Sequence, residues 1–376
     1  MTIQRPDYNN SIVNLSCSVL KFFNVPGIRH STLLEADRLL EERRPRNVII
    51  LLFDAMGISI LKRHLPEDSF TRLHVIKTIS STFPPTTVAA TTAVNSGLTP
   101  LETGWLGWVT YFREIDDNII TFFNTLQSDE NKQAAPNHLT YSHIPYKTLS
   151  MQIRETNPKV KCIACSPFKT HPIDPTIITK SVRDNMDNIL RLANESGPHM
   201  IYGYWPDPDH MMHELGVDDP RITPILEDID SNLKYLYDNI NKDDTLVFAI
   251  ADHSQINAKW FCLCDYPDIQ AILKHPHSIE ARCASFMVKD GKQEEFRNLF
   301  KKHFNDHFLL MTHDEFLSSG LLGSGLPHPR TDGFIGDFVA IATDEYCIGE
   351  THEDAEMIGI HAGLTKEEME VPLIAF

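Results

Sequence analysis

The feature that most constrains this chain is a set of short, unbroken apolar runs separated by amphipathic segments. The runs 48–53, 160–165, 200–204, 246–251, 338–342 and 371–376 have strand length and are rich in Val, Ile and aromatic residues. A strand with one wet face alternates apolar and polar side chains, so continuous apolarity predicts strands covered on both faces. Helix signals lie between the runs. Thr32 and Glu35 form a capping-box pattern ahead of Leu39 and Leu40. Thr223 followed by Pro224 reads as an N-cap and first turn, opening the stripe Ile225, Ile229, Leu233, Leu236 and Ile240. Strands alternating with helices predict an α/β fold, with a mostly parallel central sheet and helices on both faces.

One stretch breaks this rhythm. Residues 285–345 hold a short strand, a charged helix at 292–304 and a tract rich in Gly and Pro at 320–336. They are expected to form a small α+β insertion that caps a site or extends the fold. The expected organisation is therefore an N-terminal helical extension, 1–46, a core made of 47–284 and 346–376, and the insertion between them.

In parallel sheets of this kind ligands sit beyond the carboxyl ends of the strands, so chemistry is expected where each run stops. The runs stop at Asp and His. Asp54 follows 48–53, Asp209 and His213 follow 200–204, Asp252 and His253 follow 246–251, and His361 follows Ile360 near the C-terminus. A single Asp after a strand is commonly a turn former. The set says more: Asp209 and His213, four apart, share one face of a helical turn, and Asp252 with His253 offers a carboxylate and an imidazole together. Three Asp and three His suffice for two divalent ions with mixed nitrogen and oxygen ligands. That mixture suits Zn²⁺ better than Mg²⁺, which prefers oxygen alone, and Mn²⁺ or mixed occupancy fits it as well. Two such ions clamp the attacking and leaving oxygens of an in-line displacement at phosphorus.

A nucleophile is offered by the segment 80–97. Two prolines, Pro84 and Pro85, precede a run of Thr and small residues that ends at Gly97, which predicts a helix starting at Thr86 or Thr87. A hydroxyl there lies among free N–H groups at the positive end of the helix dipole, a suitable place for an alkoxide or a phosphate.

Together these motifs resemble the alkaline phosphatase superfamily, and within it the type I phosphodiesterase and nucleotide pyrophosphatase branch, over about 47–376. The order of an Asp after the first strand, a Thr ten residues before Gly97-Leu98-Thr99-Pro100, D-x-x-x-H, D-H and a late His is that of the branch. The resemblance implies an alkaline-phosphatase-like fold with two Zn²⁺ ions. It makes Thr87 the nucleophile, held with Asp54, Asp252 and His253 on one ion, while Asp209, His213 and His361 hold the other. It further implies a phosphoryl- or nucleotidyl-threonine intermediate. Two positions depart from the branch: Ala90 stands where it has Asn, and Ala362 follows His361 where it has Gly.

The expected activity is hydrolysis of a phosphoric diester or a nucleotide pyrophosphate. A phosphomonoesterase or phosphonate hydrolase on the same site is the alternative, and a non-catalytic, metal-stabilised binding protein is the reading from a different class. A monoester dianion calls for an extra Arg or Lys near the metals, and none neighbours Thr87 in the sequence. Trp105, Trp108, Tyr111 and Phe112 could stack a base or form part of the core.

Composition narrows the partners. With 34 Lys and Arg against 51 Asp and Glu the net charge is −17, which does not suit a nucleic-acid polymer as ligand. Two dications against three carboxylates still leave the site about one positive charge, enough to draw in a small phosphoric ester such as a nucleotide. No apolar stretch approaches the roughly 18 residues of a membrane span, residues 1–19 do not resemble a signal peptide, and the seven cysteines suit free thiols. A cytoplasmic location is the resulting expectation; the oligomeric state is open.

Overall fold

The computed structural model describes residues 1–304 and 306–376. Its centre is a seven-stranded sheet in the order Val75–Ser80, Glu370–Ala375, Thr245–Ile250, Asn47–Phe53, His199–Trp205, Lys161–Ser166, Thr176–Ile178. Asn47–Phe53 pairs in parallel with both neighbours, Asn47 facing Thr245 on one side and His199 on the other. Glu370–Ala375 is antiparallel to both strands beside it, and the remaining pairings are parallel. All seven residues of Asn47–Phe53 are buried. Because successive side chains leave a strand on opposite faces, this strand is covered on both.

The cover is two sets of helices. Ile12–Phe22 packs on Thr87–Ser96 and Leu149–Thr156, while Val182–Ala193 packs on Ile222–Asn239. From the first 46 residues, Ile12, Leu15, Val19 and Leu33 enter the same apolar cluster as Ile50, Leu52, Ile201 and Phe248 of the sheet. Each such buried side chain stabilises the fold by about 1.5–3 kcal/mol before the loss of chain entropy. Among the described residues no helix is long and apolar enough to cross a membrane.

A second, eight-stranded antiparallel sheet stands beside the first, in the order Phe308–Thr312, Phe338–Ala342, Cys283–Phe286, Ser278–Glu280, Val109–Phe112, Asp117–Ile120, Thr125–Leu126, Asp129–Gln133. It reaches well beyond 285–345, since half of its strands come from 109–133 and Ser278–Glu280 also precedes those bounds. The run 338–342 belongs here, and its unbroken apolarity has a local cause. Phe338, Ala340 and Ala342 face a Phe-rich cluster with Phe286, Phe296 and Phe300, whereas Val339 and Ile341 face a different one with Phe112 and Ile335.

Two helix starts differ from the sequence expectation. Thr32 does not cap: the helix is Leu34–Arg43, and the Thr32 hydroxyl donates to Asp37 at 2.7 Å while Glu35 accepts from Lys77 at 2.9 Å. The helix Ile222–Asn239 begins one residue before Thr223, whose hydroxyl is instead engaged by His64 Nδ1 at 2.9 Å. In both places other side chains, Asp37 within the helix and Lys77 and His64 from elsewhere in the chain, take the groups that local pattern assigned to the cap.

Candidate metal centre

Asp54 is the first residue beyond Asn47–Phe53. Its N–H still donates to Trp205 across the sheet at 3.0 Å, and its carbonyl accepts from Asp209 N–H at 3.2 Å. Two strand ends are thus tied to each other before any side chain is considered. Asp209 opens the helix Asp209–Leu215, which carries His213 one turn on. Asp252 and His253 lie just past Thr245–Ile250, and His361 follows the short strand Gly359–Ile360. Thr87 is the first residue of Thr87–Ser96, with Thr86 as N-cap and Gly97 closing the helix at φ 72°.

The three imidazoles are held alike. His213 Nδ1 lies 2.7 Å from the carbonyl of Gly359, His361 Nδ1 3.2 Å from that of Pro85, and His253 Nδ1 3.2 Å from that of Ser254. A carbonyl can only accept, so each Nδ1 carries a proton, and in the neutral ring each Nε2 presents a lone pair. Those lone pairs point at oxygen atoms. His213 Nε2 is 3.2 Å from Asp209 Oδ2, and His361 Nε2 is 4.0 Å from Asp209 Oδ1. His253 Nε2 lies 3.3 Å from Asp54 Oδ1, 3.7 Å from Asp252 Oδ2 and 3.2 Å from Thr87 Oγ1. Thr87 Oγ1 is 3.5 Å from Asp54 Oδ1. Asp54, Asp252 and His253 form one group able to hold a metal ion, and Asp209, His361 and again His253 form another.

The electrostatics describe the same hole. Asp54, buried and facing Asp252 and Asp209, is pushed well above the usual carboxylate range. His361 is held well below the usual imidazole value by burial and by His253. Burial alone would raise Asp209, but His213, His361 and His253 bring it below the ordinary value. Asp252 Oδ1 accepts the N–H groups of Ala55 and His253 at 3.1 and 2.9 Å, while its buried Oδ2 has no hydrogen-bond partner. A buried carboxylate oxygen without a donor costs free energy unless a cation meets it. Lone pairs of Asp and His turned on one another, with that oxygen among them, fit divalent ions.

The structure also brings in residues that the sequence did not single out. Tyr204, at the end of His199–Trp205, donates its phenol to Asp54 Oδ2, and Gln255 donates to Asp209 Oδ1. Glu280, from the second sheet, accepts from the Thr86 hydroxyl and from Trp108 N–H, the latter at 2.7 Å. Burial pushes Glu280 up to about 7 against the bonds from Thr86 and Trp108. A polar Tyr in an apolar run was the one available signal, since the contacts of Gln255 and Glu280 depend on chain packing. Of the four aromatic candidates, Trp105 and Phe112 are fully buried and Tyr111 bonds Asp116, whereas Trp108 is 37% exposed. Ala90 is buried in the helix Thr87–Ser96, and Ala362 takes a φ of 87°, a backbone form that favours Gly. Cys162 and Cys165 are buried and join no metal-capable group among the described residues; Cys264, Asp265 and His352 approach one another on the exposed surface.

Comparison with known proteins adds to this geometry. The family model for type I phosphodiesterase / nucleotide pyrophosphatase matches residues 48–364. Human ectonucleotide pyrophosphatase/phosphodiesterase family member 5 is 26% identical over 204 residues, 52% of this chain; the match takes in 40% of that relative's length. The solved murine ectonucleotide pyrophosphatase / phosphodiesterase 5 superposes with a TM-score of 0.66 at 15% identity over 87% of each chain. An inactive form with a threonine replaced by alanine is in complex with AMP. Phosphonoacetate hydrolase from Sinorhizobium meliloti 1021, in complex with phosphonoacetate, superposes at 0.63 with 15% identity over 88% of this chain and 90% of its own. These likenesses show the alkaline-phosphatase-like α/β fold.

Proposed function

Because this chain belongs to the type I phosphodiesterase / nucleotide pyrophosphatase family, we propose that it is a two-metal phosphoric ester hydrolase that cleaves diesters or nucleotide pyrophosphates through Thr87. The observation that carries the reading is the common arrangement of the three imidazoles, each proton at Nδ1 spent on a carbonyl and each Nε2 turned on Asp54, Asp209, Asp252 or Thr87. Asp54, Asp252, His253 and Thr87 would hold one ion and Asp209, His213 and His361 the other, Zn²⁺ being the metal that best suits this donor set. When bound, the ions lower the pKa of a coordinated hydroxyl and neutralise charge developing on phosphoryl oxygens.

The chain's own residues supply position. Thr87 Oγ attacks phosphorus as the ester oxygen leaves, giving a phosphoryl- or nucleotidyl-threonine that water then hydrolyses. The N–H groups of the first turn of Thr87–Ser96, which carries no acidic side chain, would receive the non-transferred oxygens. Tyr204 and Gln255 fix the two carboxylates that Thr87 and the imidazoles face. The AMP held by the murine neighbour supports a nucleotide-like ester, for which Trp108 offers an exposed ring face; the phosphonoacetate of the bacterial one supports keeping phosphonates as the second reading.

Hydrolysis of bis-p-nitrophenyl phosphate, p-nitrophenyl phosphate and phosphonoacetate by metal-analysed protein, before and after chelation, tests this. Diester turnover that chelation removes is the expected result, with Thr87→Ala losing about a thousandfold or more of it while keeping about two metal ions per chain. Most of the activity surviving in Thr87→Ala would sink the mechanism. Bound metal with no turnover of any of the three would favour a binding protein.

A further inference from the structure

Glu280 stands out among the groups around the centre because the fold goes to some strain to put it there. The residue before it, Ile279, is β-branched yet takes a φ of 73°, a left-handed conformation costly for such a side chain. The backbone of Ile279 presses on Gly107, where an added Cβ would stand 2.5 Å from the Ile279 carbonyl oxygen. That close approach brings the N–H of the next residue, Trp108, to Glu280 Oε1 at 2.7 Å, and the hydroxyl of Thr86, the neighbour of Thr87, bonds the same oxygen. Oε2 is outside this pair of bonds. The imidazoles of His253 and His213, one from each half of the ligand set, act on the carboxyl.

We propose that Glu280 is a specificity-determining residue, a fixed acidic group that disfavours esters whose phosphoryl carries two negative charges and so selects monoanionic diesters over monoesters. The inference rests on the phosphoric ester hydrolase reading above and assigns its substrate charge class to one side chain. The second charge of a monoester lies on a non-transferred oxygen, close to the Thr87 hydroxyl that attacks its phosphorus. A carboxylate bonded to the residue next to Thr87 repels that oxygen beside largely buried groups, where charge interactions are stronger than in bulk solvent. A diester has the position esterified and escapes most of the repulsion.

Glu280→Gln keeps the shape and an acceptor for Thr86 and Trp108 while removing the charge. In metal-loaded enzyme, at a pH above the value of about 7 to which Glu280 is raised, where both it and the monoester are fully ionised, the ratio of kcat/KM for bis-p-nitrophenyl phosphate over p-nitrophenyl phosphate should fall about tenfold, equivalent to about 1.4 kcal/mol, through a gain on the monoester. Calorimetric binding of inorganic phosphate gives a readout without turnover. Phosphate should bind about tenfold tighter to Thr87→Ala/Glu280→Gln than to Thr87→Ala. An unchanged ratio with unchanged phosphate affinity overturns the assignment, and so does an equal loss on both esters, which would make Glu280 a support for Thr86. Failure of the hydrolase reading looks different, since the wild-type protein would then show no Thr87-dependent turnover while the phosphate arm still decides the role of Glu280.

Discussion

A histidine serves as a metal ligand through the nitrogen it does not give to the protein, and a carboxylate does so through the oxygen its neighbours leave free. Asp54 shows this division within one side chain. Tyr204 donates to Oδ2, and Oδ1 faces Thr87 and His253. The phenol is itself buried, and burial together with Asp54 and Asp252 holds it well above the usual tyrosine value, so it stays a donor at every working pH. Tyr204→Phe should therefore leave the fold intact and lower metal affinity by about 10- to 100-fold, the usual effect of removing an outer hydrogen-bond partner. Metal content under a competing chelator measures this directly. If Tyr204 only positions Asp54, excess metal should restore turnover to near the wild-type rate; a loss that metal does not rescue would place Tyr204 in the reaction itself.

At the scale of elements, the helix Thr87–Ser96 is held at its far end as well as at its first turn. Gly97 closes it, and the next turn, Pro100–Thr103, has a capping box in which Glu102 reaches back to Thr99. Glu102, its side chain fully buried, also takes bonds from His30 and Arg29 of the N-terminal segment. Burial would raise this carboxyl, but the bonds from His30, Thr99 and Arg29 outweigh it and hold the group below its ordinary value of 4.5. A carboxyl lowered in the folded state contributes stability that is fully present above that ordinary value and disappears as pH falls through the folded one. Glu102→Gln should cost about 1–3 kcal/mol at neutral pH and flatten the acid limb of the denaturation midpoint against pH. A parallel acid limb in the variant would mean that other carboxyls set it. The sequence displayed Thr99 and Gly97 as local punctuation, and continuous apolar runs ending in Asp or His made the strand ends legible, because both are properties of neighbours in the chain. It could not display Glu102 bonding residue 30, or Tyr204 and Gln255 choosing their carboxylates, because these pairings exist only once distant segments have packed.

For the molecule as a whole, the same difference explains the second sheet. Its strand Asp129–Gln133 is exposed at all five positions, and Thr125–Leu126 has only two residues. An exposed or very short strand of this kind is recruited by its neighbours and leaves no apolar run to read, so 285–345 marked only part of the sheet. One link between the two sheets is a pair that is buried completely. Arg282, following Ser278–Glu280, forms a two-bond fork with Glu368 at 2.7 and 2.8 Å and donates to the carbonyls of Tyr346 and Asp344 at 2.7 Å. Glu368 precedes Glu370–Ala375 of the seven-stranded sheet and also accepts Gly363 N–H at 2.7 Å, so the turn that carries His361 hangs on it. Both side chains are inaccessible to water. Arg282→Met would leave Glu368 as an unpaired buried charge, and equilibrium unfolding should show a loss of about 3–5 kcal/mol. Replacing Glu368 by Leu as well removes the stranded charge, so the double variant should recover part of that stability while still losing metal affinity through the slackened His361 turn. A double variant no more stable than Arg282→Met, or one with undiminished metal affinity, would show that the fork neither bridges the sheets nor supports the centre.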